Sequence, residues 1–158
     1  MDFNFLKLLK TKDGYEYCER KGKDSVAFIL MKKVGTQWFI GLRNEYKPSI
    51  NTWINGAFGG SLDKKKSPCH TVIDEVAEEA GYKVKEENIK YCGKYFVSSQ
   101  MNQFCMLYLV DVSNAKWVDK LPEDTAEFIS DVNWFTFPNT FMSTLCWKAA
   151  LLVNAIRF

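Results

Sequence analysis

The amino-acid sequence predicts an α/β protein of the α+β type, an α/β/α sandwich in which helices cover both faces of a mixed β-sheet. Strand-like segments dominate the apolar pattern, one amphipathic helix interrupts them in mid-chain, and a second follows near residue 150. Because no internal repeat, low-complexity tract or Pro/Ser-rich linker divides residues 1–158, they are expected to form a single domain.

The first predicted element is a β-hairpin within residues 1–22. Apolar-patterned runs at residues 3–9 and 15–19 flank residues 10–14, whose Asp-Gly pair is a strong signal for a hairpin turn. We therefore expect two short antiparallel strands before the central strands begin.

The central strands are predicted between residues 25 and 60. Residues 25–31 form a continuous apolar run, as expected of a buried strand, and residues 37–42 follow a glycine-containing turn as its partner. Residues 44–52 are rich in Asn, Pro and Ser and predict a loop. Residues 53–60 are aromatic and interrupted by glycines, which indicates a strand whose end approaches another group closely.

The most clearly bounded element is a helix at residues 68–80. Ser67 is a suitable N-cap, Pro68 fits the first helical position, and Gly81 can end the helix in the left-handed conformation. The apolar residues of this helix form one stripe, made by Val72, Ile73, Val76, Ala77 and Ala80.

Three strands and a helix complete the predicted fold. Residues 89–97, 103–112 and 126–135 are predicted to be strands, and residues 141–156 a final amphipathic helix. The apolar residues on one side of that helix are Leu145, Ala149, Leu152 and Ala155.

Composition and charge exclude several classes of protein. The net charge of 21 − 19 = +2 does not favour binding to nucleic acid or to an anionic membrane. No stretch approaches the roughly 20 apolar residues that span a bilayer, and residues 1–7 lack the pattern of a signal peptide. The five cysteines are odd in number and lack metal-type C-x-x-C spacing, which indicates free thiols in a reducing, cytoplasmic compartment.

Three acids of the predicted helix suggest a metal site. Glu75, Glu78 and Glu79 stand at i, i+3 and i+4 and therefore share one helix face. Each like-charge pair at this spacing costs about 0.2–0.5 kcal/mol, and the helix dipole disfavours anions near its C-terminus. A hard cation such as Mg²⁺ removes this repulsion and commonly joins carboxylates to substrate phosphates. The alternative is a solvated acidic face, because Glu is a good helix former.

The glycines around this helix carry a family resemblance. With Gly59 and Gly60 before the loop, the three acids on the helix, and Gly81 after them, the segment resembles the Nudix box, in which these residue types occur at fixed spacing. The resemblance extends over most of the chain, because residues 25–42 and 53–60 look like the strands that precede the box in that family.

Two positions depart from the box. Lys66 stands where the family has Glu, and Asp74 where it has Arg, so both charges are reversed. One hypothesis is a swapped ion pair that holds the loop against the helix. The other is that both positions have diverged and the activity is impaired. Asp63 is a further candidate for a loop acid.

The resemblance implies a hydrolase that cleaves diphosphate bonds with Mg²⁺ or Mn²⁺ as its cofactor. The implied metal ligands are Gly60, Glu75, Glu78 and Glu79. The implied catalytic residues are Glu75 and Glu78 of the helix and Glu123 and Glu127 of a distal acidic loop, any of which can act as a general base. The implied substrate-binding residues are Arg20, Arg43, Trp53, Gly59 and Gly60.

Within the family, the hairpin and the acidic residues at 121–129 are similar to those of ADP-ribose pyrophosphatases. This similarity implies a homodimer that acts on a small nucleotide, namely ADP-ribose or a related nucleotide sugar or dinucleotide. Residues 98–103 lack the Pro-Gly turn and the Glu of that subgroup. Two alternatives therefore stay open, a pyrophosphohydrolase of nucleoside triphosphates or RNA caps, and a Nudix-fold sensor that binds a nucleotide without cleaving it.

Overall fold

A computed structural model of the protein describes residues 5–22, 24–62, 66–118, 129–137 and 146–156. The strands are β1 Leu6–Lys10, β2 Glu16–Arg20, β3 Ser25–Val34, β4 Gln37–Lys47, β5 Thr52–Gly56, β6 Phe58–Ser61, β7 Tyr82–Lys83, β8 Ile89–Ser98, β9 Met101–Asp111, β10 Lys116–Trp117 and β11 Ile129–Thr136. The helices are α1 Pro68–Ala80 and α2 Trp147–Asn154, with short 3-10 helices at Pro48–Ile50 and Glu86–Asn88.

One large mixed sheet organises the molecule. Its strand order is β1-β2-β9-β3-β4-β11, with β5 beside β4, β6 beside β3 and β8 beside β9. Strands β3 and β9 run parallel, whereas β3 and β4 run antiparallel. The predicted N-terminal hairpin is confirmed, because β1 and β2 pair antiparallel and join the sheet at β9.

Strand β3 lies at the centre of the sheet and packs on both of its faces. Val26, Phe28 and Leu30 belong to the buried cluster that includes the apolar stripe of α1. Ala27 and Ile29, which point the other way, belong to the cluster beneath α2. Each helix therefore covers one face of the sheet, and the predicted α/β/α sandwich is confirmed.

The strands between residues 37 and 61 correct two predictions. The loop predicted at residues 44–52 is wrong over its first half, because β4 continues to Lys47. The single strand predicted at residues 53–60 divides at Ala57, since β5 pairs with β4 whereas β6 crosses to pair with β3. Strand pairing on both sides of β4 outweighs the local turn propensity of this segment.

The last predicted strand and helix are only partly described. Strand β11 lies within the predicted range 126–135 except for its last residue, Thr136, and helix α2 lies within the predicted range 141–156. Residues 126–128 and 141–145 of these ranges fall outside the described residues. Neither described helix has the length and apolar character needed to cross a membrane.

Candidate functional site

Helix α1 begins and ends where the sequence predicts. The Ser67 side chain accepts a hydrogen bond from the backbone N–H of His70 at 3.2 Å, and Gly81 ends the helix at φ 73° with its N–H donated to the Val76 carbonyl. Because Val72, Val76 and Ala80 face the sheet and are fully buried, the rotation of the helix about its axis is fixed. The three glutamates therefore keep a defined position relative to the ends of β4 and β6.

Glu79 is the most tightly held of the three acids. Its side chain is only 7% exposed, and its Oε1 lies 2.5 Å from Nη1 of Arg43, which is itself 8% exposed. Its Oε2 accepts a hydrogen bond from the backbone N–H of Gly59 at 3.2 Å. This carboxylate thus joins α1 to β4 and to β6 by charged contacts in a water-poor setting, where such contacts are strong.

Glu75 lies directly against the α-carbon of Gly60. A β-carbon placed on Gly60 would lie 2.0 Å from Oε1 of Glu75 and 2.8 Å from its Cγ. Gly60 is therefore required for the present position of Glu75, because any side chain would displace it. On Gly59, by contrast, a β-carbon would lie 2.5 Å from the backbone carbonyl oxygen of Val26.

The two glycines are expected to fail in different ways when replaced by alanine. Gly60→Ala should lower kcat/KM by about 100-fold through displacement of Glu75, with little change in thermal unfolding. Gly59→Ala should lower the free energy of unfolding by about 1–3 kcal/mol, because the backbone itself must move. Gly56→Ala is the matched control, since its β-carbon would meet Cys146 at an ordinary 3.4 Å. Equal activity of the Gly60→Ala and Gly56→Ala variants would contradict this reading of Gly60.

The swapped ion pair is confirmed. Nζ of Lys66 lies 2.5 Å from Oδ2 of Asp74, so the residue that precedes the N-cap of α1 is tied to the middle of the helix. The hydrogen bond and charge of Asp74 raise the pKa of Lys66, and the charge of Glu78 adds to the rise. Glu78 therefore lies close to this pair, at the opposite side of the acidic face from Arg43.

Reversing both charges should restore what each single change removes. Lys66→Glu and Asp74→Arg are each expected to lower kcat/KM by about 10–100-fold, as loss of a group that orients a ligand does. The double variant should recover most of that loss, and a double variant no better than the worse single one would contradict the role of the pair. Because the pKa of Lys66 is raised from 10.5, Lys66 still carries its charge at pH 10.5, and its contribution to the pair is lost as pH rises through the folded-state pKa.

The three glutamates fit a divalent cation by their chemistry. Carboxylate oxygens are the donors that Mg²⁺ and Mn²⁺ take in proteins. The three carboxylates lie on one face of α1, and Gly60, which has no side chain, leaves room for Glu75. Among the described residues, no group of three Asp, Glu, His or Cys side chains has the geometry of a metal site in the present arrangement. Glu79 is already engaged by Arg43 and Gly59, and Glu75 is seated on Gly60.

Arg43 on β4 packs against the carboxylate helix. Its guanidinium lies in the protein interior against Glu79, and its Nε lies 4.0 Å from Oε2 of Glu45. Glu45 was not among the predicted site residues. The signal for it is the alternation of Arg43, Glu45 and Lys47 along β4, which places the three charges on one face of the strand.

The remaining predicted residues lie on other strands or outside the described residues. Trp53 on β5 is 51% exposed, and Arg20 ends β2 in a half-buried position. Glu123 and Glu127 lie outside the described residues, as does Asp63. The catalytic role of the distal loop and the substrate-binding roles of Arg20, Arg43 and Trp53 stay predictions.

Comparisons with known proteins support the fold. No protein-family profile matches the sequence, and no curated protein does. The structure is similar to a MutT/nudix family protein from Enterococcus faecalis, with 20% identity, a TM-score of 0.54 and coverage of 74% of this chain. The chain spans 44% of that protein's length. It is also similar to an ADP compounds hydrolase, with 13% identity, a TM-score of 0.66 and coverage of 98% of this chain and 85% of the other.

Proposed function

We propose that this protein, which has the fold of the MutT/Nudix proteins, hydrolyses the diphosphate bond of a nucleoside diphosphate derivative with Mg²⁺ or Mn²⁺ as its cofactor. The single observation that carries the proposal is the seating of the three glutamates. The Glu79 carboxylate lies 2.5 Å from the buried guanidinium of Arg43. Glu75 packs against Gly60, which has no side chain to displace it. Glu78 lies close to the Lys66–Asp74 pair. Three like charges held on one helix face in this way favour a cation between them and a diphosphate.

The residues of the chain then have separate tasks. A divalent ion supplies charge neutralisation as the phosphorus is attacked. Glu75 or Glu78 accepts the proton of the attacking water, because both are half-buried whereas Glu79 is buried against Arg43. Arg43 holds Glu79 in place, and the contact with Asp74 holds Lys66 against α1.

We further propose ADP-ribose, or a related nucleotide sugar or dinucleotide, as the substrate. The similarity to a protein described as an ADP compounds hydrolase supports this class. The half-exposed ring of Trp53 offers a surface on which a base can stack. The Lys66–Asp74 contact argues against the non-catalytic sensor, because the two residues still form an ion pair with their charges reversed relative to the family.

A product analysis tests the proposal. The purified protein is incubated with Mg²⁺ and a panel of nucleotides, and the products are separated by chromatography. AMP with ribose 5-phosphate from ADP-ribose is the expected result, whereas inorganic pyrophosphate would indicate hydrolysis of a triphosphate or a cap. Saturable binding without turnover would show a sensor and overturn the enzymatic proposal. Chelation of the metal by EDTA should abolish the reaction.

We also propose that the protein is a homodimer in a reducing, cytoplasmic compartment. Strand β1 is outermost in the sheet order, and its Leu6 and Leu8 are 41% and 75% exposed, which suits an interface between copies. Sedimentation should show a dimer that Leu8→Lys converts to a monomer, whereas the control Val34→Lys, at a 55% exposed position, should stay dimeric. A monomeric wild-type protein at micromolar concentration would refute the dimer.

The compartment is supported by the cysteines. Cys18, Cys69, Cys92 and Cys105 are free thiols, and burial raises the pKa of Cys69 and Cys92. Thiols with a raised pKa react slowly, as suits cysteines that pack in a protein rather than form disulfides. Localisation of a tagged copy in the source cell tests the compartment, and export from the cytoplasm would contradict it.

A further inference from the structure

A row of four alternating charges leads from Glu79 of α1 outward along β4. Nη1 of Arg43 lies 2.5 Å from Oε1 of Glu79, and Nε of Arg43 lies 4.0 Å from Oε2 of Glu45. Oε1 of Glu45 lies in turn 2.5 Å from Nζ of Lys47. The exposed fraction of the side chains rises along the row, from 7% for Glu79 and 8% for Arg43 to 18% for Glu45 and 38% for Lys47. The guanidinium of Arg43 therefore contacts two carboxylates, of which the proposed function uses only Glu79.

The sheet fixes the backbone positions of Arg43 and Glu45. The two residues are two apart on β4, so their side chains leave the same face of the strand about 7 Å from each other. Strands β5 and β11 both pair with β4 at Arg43 and again at Glu45. Because β4 is held from both sides at these positions, the Glu45 carboxylate stays near the guanidinium.

The contact between Arg43 and Glu45 acts through charge. Its length of 4.0 Å exceeds that of a hydrogen bond. Both side chains are largely buried, however, and solvent screens buried charges much less than exposed ones. The negative charge of Glu45 therefore attracts the guanidinium in competition with Glu79.

A cation at Glu79 has to share this carboxylate with Arg43. The two oxygens of Glu79 already contact the guanidinium and the backbone N–H of Gly59. A divalent ion beside them would also be repelled by the positive charge of Arg43. Glu45 reduces both effects, because it offsets the charge of the guanidinium and draws on its binding capacity.

We infer that Glu45 is a positioning residue of the metal site, whose charge restrains Arg43 and so leaves the Glu79 carboxylate available to a divalent cation. The inference rests on the proposed function and adds to it a residue that acts on the cation through Arg43. Without the Glu45 charge, the guanidinium binds Glu79 more strongly, and the cation competes less well for that carboxylate.

Calorimetric titration with Mn²⁺ tests this inference. Glu45→Gln has nearly the shape of the natural side chain and should raise the Kd for Mn²⁺ about 10-fold. Glu45→Asp keeps the charge on a shorter side chain and should raise the Kd by less. Glu16→Gln is the matched control, because Glu16 is also a strand residue paired with a lysine but is 66% exposed. Thermal unfolding is measured for every variant to show that each one is folded.

A double variant distinguishes positioning from a simple effect of net charge. Glu45→Gln combined with Lys47→Met has the same net charge as the wild type, because one acid and one base are removed. If Glu45 acts through Arg43, this double variant keeps the raised Kd for Mn²⁺. A Kd that returns to the wild-type value would show an effect of net charge and overturn the inference.

The rate of hydrolysis gives a second, independent measurement. The Mn²⁺ concentration for half-maximal rate should rise about 10-fold in Glu45→Gln, whereas kcat at saturating Mn²⁺ should stay within about 3-fold of the wild type. A lower melting temperature with unchanged half-saturation by Mn²⁺ would show a merely structural role and overturn the inference.

Failure of this inference and failure of the proposed function give different results. Hydrolysis with a Kd for Mn²⁺ that Glu45→Gln does not change would overturn the inference and leave the function intact. A Kd that depends on Glu45 without hydrolysis of any nucleotide would overturn the function and support the role of Glu45. Absence of Mn²⁺ binding to the wild type, with and without nucleotide, would overturn both.

Discussion

The Arg43→Met variant is expected to lose about 3–5 kcal/mol of its free energy of unfolding. Arg43 and Glu79 are both buried, with Nη1 and Oε1 2.5 Å apart. Removing the guanidinium takes this charged partner from the Glu79 carboxylate, whose side chain is 7% exposed and therefore poorly solvated. Urea unfolding followed by circular dichroism measures the loss as a lower midpoint with an unchanged slope.

Two further variants show whether the loss comes from the unpaired charge. Arg43→Met combined with Glu79→Gln should recover at least half of the stability, because the amide keeps an acceptor for the Gly59 N–H and carries no charge. Lys47→Met removes an ion pair with Glu45 on the same strand, but the Lys47 side chain is 38% exposed. Because solvent screens this pair, the loss in the free energy of unfolding should be only about 0–1 kcal/mol. Equal losses in Arg43→Met and Lys47→Met would contradict the buried-pair account.

Replacing Glu75 with glutamine is expected to lower kcat by about 100-fold or more while the protein stays as stable as the wild type. The amide has almost the same shape, so it can lie on Gly60, but it supplies neither a charge for the cation nor a base for water. Steady-state hydrolysis of the best nucleotide in the panel gives the rate, and calorimetry with Mn²⁺ gives the affinity for the metal.

The comparison with Glu79→Gln distinguishes a chemical from a structural effect. That variant should also lose most of its activity, but its stability should fall as well, because Arg43 loses its charged partner. Glu87→Gln serves as the control, since Glu87 is 73% exposed and pairs with Lys85. Retention of the wild-type rate by Glu75→Gln would remove this residue from the catalytic set.

Local signals predicted the carboxylate helix and its surroundings well. Ser67 and Gly81 bound α1 as the sequence indicates, because capping depends on residues next to one another in the chain. The Lys66–Asp74 contact could also be inferred, since the fixed spacing of the motif brings these two positions together when the loop meets the helix. The hairpin at the beginning of the chain followed from its Asp-Gly turn.

Other features depend on strands that are far apart in sequence. The sequence analysis assigned residues 44–47 to a loop, because nothing local shows that β4 pairs with β5 on one side and β11 on the other. Only this pairing continues β4 past Arg43 and turns the guanidinium toward Glu79.

The sequence by itself determined the positions of the acids on one helix face, the glycines that flank them and the limits of the helix, because these follow from helical periodicity and capping. The tertiary structure alone decided which acid is buried and which cation holds it. The physical reason is that burial and ion pairing depend on the distance between side chains from different strands, which the packing of the sheet sets.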